Sequence, residues 1–235
     1  MEKKINVVIL DDHQSIIDGY LFRLRDFSKI NVVATANFSE ELEEILKKHP
    51  VNVLITDINV PTSASESSPA PLLYLIPKIL QQYPDLKIIV ISMHAERALI
   101  QAVSDSGASG YILKDDYSSI KQLGWIITSV AEGGVFYSRE AHSRLLESPT
   151  EKNLLTQRQK EVLLFFASYP QLTTFAAALE LNIAHSTVRN LLSDIYLRLD
   201  VSNRSSAIIK AQQMGIIPHS VSKIDINDLY EDTDD

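Results

Sequence analysis

The sequence predicts an α/β fold, a doubly wound five-stranded parallel sheet, followed by a second, smaller all-α domain. Three observations predict it. Short, β-branched apolar runs alternate with longer stretches of helical spacing through the first half of the chain. Strand-like runs then stop, and from Leu155 to Ile217 apolar residues recur only at helical spacing. The length of 235 residues suits two cores, at one domain per roughly 100–200 residues.

In chain order, the strand-length runs are Ile5–Leu10, Ile30–Ala36, Val51–Thr56, Leu86–Ser92 and Ser109–Leu113. Continuous apolar stretches such as Ile88-Ile-Val-Ile91 are what central strands covered on both faces require. Helical spacing fills the intervals at Ser15–Asp26, Ser39–Lys48, Leu72–Tyr83, Glu96–Ser106 and Ser118–Ala131. The first domain is therefore expected over 1–132. Gly133-Gly134 breaks the pattern, and 133–152 reads as a linker with one short helix. About four short helices are expected in 153–217. Residues 218–235 read as an acidic tail without fixed structure, since 221–235 hold six acids and one lysine.

Composition excludes several classes. There is no cysteine, so disulfide scaffolds, thiolate metal sites and a cysteine nucleophile are excluded, and a reducing cytoplasm is the expected location. No apolar run approaches the roughly 20 residues that span a bilayer, and Met1-Glu-Lys-Lys-Ile5 leads straight into a strand, so neither membrane insertion nor a signal peptide is expected. The net charge is −8, but it is unevenly spread. Residues 1–149 carry −5, residues 150–220 carry +2 and the tail carries −5. The helical unit is the net-positive part, and a nucleic-acid partner must be met there.

In an open parallel sheet, functional groups gather beyond the carboxyl ends of the strands. Here those ends carry Asp11-Asp12, Asp57, Ser92 and Lys114. Singly, an aspartate after a strand serves as a helix cap and a lysine is solvated. Five such groups at one sheet edge point instead to phosphoryl chemistry. Closely packed carboxylates repel unless a cation joins them, and oxygen ligands suit Mg²⁺. Asp57, the central carboxylate, is placed to act as nucleophile, with Asp12 and Asp11 as metal ligands. Lys114 is placed to pair with a phosphoryl group or, at rest, with Asp57, and Ser92 to donate to a phosphoryl oxygen.

Val8-Ile-Leu-Asp11-Asp12-His13, Leu54-Ile-Thr-Asp57, Ile89-Val-Ile-Ser92 and Gly110-Tyr-Ile-Leu-Lys114 resemble the receiver domain of two-component response regulators, a flavodoxin-like fold. The resemblance covers about residues 4–132. It implies that Asp57 accepts a phosphoryl group from the phosphohistidine of a sensor histidine kinase. It also implies that the backbone carbonyl of Asn59 joins Asp11, Asp12 and Asp57 around Mg²⁺, and that Ser92 and Tyr111 form a switch pair. One departure is the segment 60–71, Val-Pro-Thr-Ser-Ala-Ser-Glu-Ser-Ser-Pro-Ala-Pro. It is longer than the family's turn by roughly six or seven residues and lacks glycine, which reads as a flexible, solvated loop.

Leu155-Thr-Gln-Arg158 and Ser186-Thr-Val188-Arg-Asn-Leu-Leu-Ser-Asp-Ile195-Tyr-Leu-Arg-Leu199 resemble the LuxR-type helix-turn-helix of NarL/FixJ-class regulators. At 100° per residue, Val188, Leu192, Ile195 and Leu199 line one face of the third helix, with Leu191 at its edge. Arg189, Asn190 and Ser193 point away from that face, where a recognition helix reads the major groove. His185 and Ser186, at the start of the same helix, complete the candidate DNA-contacting set. Three departures reduce the expected affinity. Leu191 stands where the family commonly has His, Ala184 where a capping Ser is usual, and Phe175-Ala176 where a Lys-Glu pair is usual.

The leading expectation is a DNA-binding transcriptional regulator switched by phosphorylation of Asp57, paired as a homodimer on two operator half-sites. The alternative is a receiver-based protein-interaction regulator with weak or partner-dependent DNA binding. An enzyme is not expected. Phosphate-ester hydrolases with an Asp-x-Asp motif use the second carboxylate as general acid, and that position here is Asn59.

Overall fold

The computed structural model describes residues 4–70, 72–146 and 154–219, without the side chains of 66–69. The first unit runs β1 (Ile5–Leu10), α1 (Gln14–Leu24), β2 (Ile30–Ala36), α2 (Glu41–Lys48), β3 (Val53–Thr56), β4 (Pro61–Ser63) and β5 (Glu66–Pro69). It continues with α3 (Leu72–Gln82), β6 (Lys87–Ser92), α4 (Arg97–Asp105), β7 (Gly110–Leu113), α5 (Tyr117–Lys121), α6 (Leu123–Ala131), β8 (Phe136–Tyr137) and α7 (Arg139–Leu146). The main sheet has the order β2-β1-β3-β6-β7-β8, all parallel. Strand order reverses between β1 and β3, which opens a crevice beyond their carboxyl ends.

Both faces of the sheet are covered, as the continuous apolar runs require. Val7, Ile9, Val53, Ile55, Ile89 and Ile91 point into a core closed by α1, α5 and α6. Val8, Leu10, Leu54, Ile88 and Val90 point into the opposite core with α2, α3, α4 and α7. Val7 to Leu10 are all fully buried, and each such side chain contributes roughly 1.5–3 kcal/mol by leaving water. The helix expected over 118–131 is two helices. It breaks at Gln122 (φ −95°, ψ 11°).

The sheet carries one strand more than the five expected. Residues 133–146, expected as the first part of a linker, hold β8 and α7, and Ala141 of α7 is fully buried in the sheet's core. Gly110 admits β8, because a Cβ there would lie 2.7 Å from the Phe136 carbonyl oxygen. Ser138 then locks the turn: its N–H donates to the Tyr111 carbonyl (2.9 Å) and its Oγ accepts from the Leu113 N–H (3.2 Å). A two-residue strand is too short to show an alternating pattern.

The segment expected as a flexible loop is a β-hairpin, β4 paired antiparallel with β5. It is tied down by backbone bonds. The Ser39 and Glu40 N–H groups, just before α2, donate to the Pro61 and Thr62 carbonyls at 3.0 and 3.1 Å, and the Ala70 N–H donates to the Val60 carbonyl at 2.7 Å. The Glu41 and Leu42 amides that open α2 donate to the Phe38 and Ser39 carbonyls, so the hairpin anchors the residues just before the helix.

The second unit has α8 (Gln157–Ser168), α9 (Thr174–Glu180), α10 (His185–Leu199) and α11 (Arg204–Gln213). Thr156 and Gln159 form a capping box on α8, and Thr173 and Asn203 cap α9 and α11. Ala184 leaves α10 without a side-chain cap. Phe165, Phe166, Val188, Ile195 and Leu199 form the centre of its core. Tyr74 of α3 packs against that core, edge-on to Phe165 (centroids 5.6 Å apart), and donates its hydroxyl to the Glu180 carbonyl at 2.8 Å. Lys78 pairs with the Glu180 carboxylate at 2.6 Å. The expected tail begins with Pro218 and His219; its remainder, 220–235, lies outside the described residues. Among the described residues no helix is long and apolar enough to cross a membrane.

Candidate functional site

The parallel ladder carries the chemistry to one place. The Asp11 N–H donates to Ala36, the Asp57 N–H to Leu10 and the Lys114 N–H to Ser92, so each polar residue leaves its strand beside its neighbour's. Asp11 and Asp57 are 2% and 8% exposed, Ser92 is fully buried and Asp12 is exposed. Lys114 Nζ lies 2.8 Å from Asp11 Oδ2 and 2.8 Å from Asp57 Oδ2. One ammonium thus bridges two buried carboxylates that otherwise repel, and offsets one of their two charges. Burial pulls the Lys114 ammonium down, but its hydrogen bonds to Asp11 and Asp57 outweigh burial and hold it above the usual lysine value.

The carboxylates are further fixed by backbone amides. Ile58 N–H donates to Asp57 Oδ1 at 2.6 Å, and His13 N–H to Asp11 Oδ1 at 3.0 Å. Ligand atoms of Asp11, Asp12 and His13 lie within 4.8 Å of one another, with His13 Nδ1 2.7 Å from Asp12 Oδ1. Of the expected ligands, the structure groups the Asp11 and Asp12 carboxylates, both oxygen donors, and Asp12 is exposed to water. These residues fit Mg²⁺, whose chemistry demands oxygen ligands and several waters.

Tyr111 is not the half-buried strand aromatic that its position alone suggests. It is fully buried and donates its hydroxyl to the His94 carbonyl at 2.6 Å. Burial pushes its phenol up, and a hydrogen bond with Ser92 opposes that. The His94 ring meets the Asn59 side chain, Nε2 to Nδ2 at 2.8 Å, and the His94 N–H donates to Ser92 Oγ at 3.2 Å. His94 thus joins the segment after β3 to the segment after β6. Sequence reasoning missed it, because nothing in the spacing of Ser92 and His94 marks the contact. Tyr20 of α1 is a second omission: it is 5% exposed, and burial together with the Asp11 and Asp57 charges pushes its phenol up.

In the helical unit, His185, Ser186, Arg189, Asn190 and Ser193 are all exposed on α10, while Val188, Leu192, Ile195 and Leu199 are buried. Leu191 is half-buried at the edge. Several cations of this unit are committed internally. Arg158 binds Glu161 and the Leu181 carbonyl, Arg198 binds the Leu154 carbonyl, and Arg204 binds the Leu172 and Pro170 carbonyls while lying over Phe166. Lys160 lines a cleft of about 1290 Å³ between the two units. The Arg189 and Lys210 side chains lie outside that cleft and make no hydrogen bond or ion pair among the described residues.

A doubly wound sheet with a lysine-bridged carboxylate cluster at its strand ends, joined to a helix-turn-helix, defines the two-component response regulators. Residues 7–123 match the response regulator receiver domain. The chain is 31% identical to the transcriptional regulatory protein DesR of Bacillus subtilis, over 90% of this chain and 98% of that protein. Two RcsB dimers bound to two parallel DNAs supply a solved structure with a TM-score of 0.57, at 28% identity, covering 90% of this chain and 99% of that one. RcsB of Salmonella enterica serovar Typhimurium, bound to promoter P1flhDC with the phosphomimetic BeF3−, gives 0.58 at 27% identity, covering 91% and 100%. The chain belongs to the response regulator family, in its NarL/FixJ class.

Proposed function

We propose that Asp57 is the residue phosphorylated by a sensor histidine kinase, and that its phosphorylation controls DNA binding by α10. The observation that carries this reading is the Lys114 bridge between Asp11 and Asp57. It holds a nucleophilic carboxylate beside a cation, on the sheet edge that also carries Ser92. Asp57 Oδ attacks the phosphorus, the phosphohistidine nitrogen leaves, and Lys114 moves its pairing to the phosphoryl oxygens. Asp11, Asp12, Asp57 and the Asn59 carbonyl would hold Mg²⁺, which would supply neutralisation of charge on the transferring group. Ser92 donates to a phosphoryl oxygen, and Tyr111, already turned inward, fills the space behind it. With Asn59 two residues after Asp57, no second carboxylate serves outside substrates, so the protein is a regulator and not an enzyme.

His185, Ser186, Arg189, Asn190 and Ser193 face the major groove, with Asn190 suited to adenine and Arg189 to guanine. A homodimer places two such helices on two half-sites, in keeping with the DNA-bound RcsB dimers. The protein acts in the cytoplasm, where its cysteine-free composition is at home. The internal commitment of Arg158, Arg198 and Arg204 favours one second reading, a regulator that binds DNA weakly and leans on a protein partner.

Fluorescence anisotropy on duplex DNA, with Mg²⁺ and a phosphodonor, separates the two across a salt series. With Arg189 and Lys210 on each of two protomers, log K is expected to fall with log salt at a slope of about −4. No binding at low salt by phosphorylated, dimeric protein contradicts the leading reading.

A further inference from the structure

Phe175 stands at the position where the family commonly has lysine, and it is 59% exposed on α9. Its ring is not idle there. It meets the His185 ring edge-on, with centroids 6.1 Å apart and planes at 74°. His185 is the first residue of α10, and its Nε2 lies 2.8 Å from Thr174 Oγ1. Two consecutive residues of α9 therefore grip the end of the helix that carries Ser186, Arg189 and Asn190. Leu179, four residues on and 68% exposed, extends the apolar strip along α9.

A recognition helix meets base edges with its N-terminal residues. The Phe175 ring meets that end of α10 through His185, which puts it at the edge of the surface that His185 and Ser186 present. The apolar group that the major groove offers is the C5-methyl of thymine. We propose that Phe175 is a specificity residue, contacting a thymine methyl next to the bases read by Arg189 and Asn190. The contact substitutes salt-independent apolar burial for the ion pair a lysine makes, which suits a unit with few free cations. The inference rests on the DNA-binding reading above.

The test uses the full-length protein with BeF3− and Mg²⁺. A duplex is selected from a random pool on wild type, then remade with deoxyuridine for thymidine, which deletes the methyls alone. Wild type is expected to prefer the thymine duplex about fourfold per half-site, the worth of one buried methyl. Phe175→Ala is expected to lose that preference, and Phe175→Leu to keep most of it, with α10 intact in both by circular dichroism. Equal thymine-to-uracil ratios for wild type and Phe175→Ala overturn the inference and leave the DNA-binding reading standing; the strip on α9 then serves a protein surface instead. Failure of wild type to select any duplex overturns both.

Discussion

Lys114→Met is expected to destabilise the receiver by about 3 kcal/mol, because it leaves two buried carboxylates facing each other unpaired. Lys114, Asp11 and Asp57 side chains are only 11%, 2% and 10% exposed, so water cannot take over the role of the ammonium. Urea unfolding followed by circular dichroism measures the loss. Two companions fix its cause. Asp11→Asn/Lys114→Met removes one of the repelling charges and is expected to recover most of the stability. Mg²⁺ is expected to stabilise Lys114→Met more than wild type, since the ion meets carboxylates with no resident cation. The pH dependence has a definite sign: the ammonium is held above the usual lysine value, so its contribution is full below about pH 10.4 and is lost as pH rises through its raised value. Equal Mg²⁺ effects in both proteins contradict this view of the site.

The second large effect lies in the helical unit. Phe165→Ala removes a fully buried ring that packs against Phe166, Tyr169 and Tyr74 at centroid distances of 5.3, 5.3 and 5.6 Å. Truncating such a ring costs about 3–5 kcal/mol, a large share of the 5–15 kcal/mol that domains of ordinary stability possess. The helix-turn-helix is expected to melt well below the receiver in calorimetry and to release Tyr74 and Lys78 from Glu180. The receiver, whose two cores do not use Phe165, keeps its Mg²⁺ response. Phe165→Leu preserves apolar volume and is expected to cost less. A single unshifted transition for Phe165→Ala contradicts the placement of this ring at the centre of the unit.

The parts that were legible in the sequence share a reason. β1, β3, β6 and β7 are covered on both faces, so each is an apolar run with a polar residue at its end, and Asp11, Asp57, Ser92 and Lys114 could be read directly. The buried stripe Val188, Leu192, Ile195 and Leu199 was legible through the helical period, and it fixed which side of α10 faces outward. What stayed hidden depends on contacts between distant segments. β8 exists because Gly110 lets a second backbone approach, and the hairpin β4–β5 is held by amides of Ser39 and Glu40. His94 matters through Asn59, 35 residues earlier, and Tyr74 through Glu180, 106 residues later. No local pattern encodes such pairs.

In the proposed function, phosphorylation of Asp57 drives the DNA-binding state. Its most direct test compares wild type with Asp57→Ala, each with Mg²⁺ and a small-molecule phosphodonor, reading size and DNA affinity in the same samples. Wild type is expected to move to a dimer and bind more tightly, while Asp57→Ala stays at its untreated size and affinity. The same response from both proteins would contradict it.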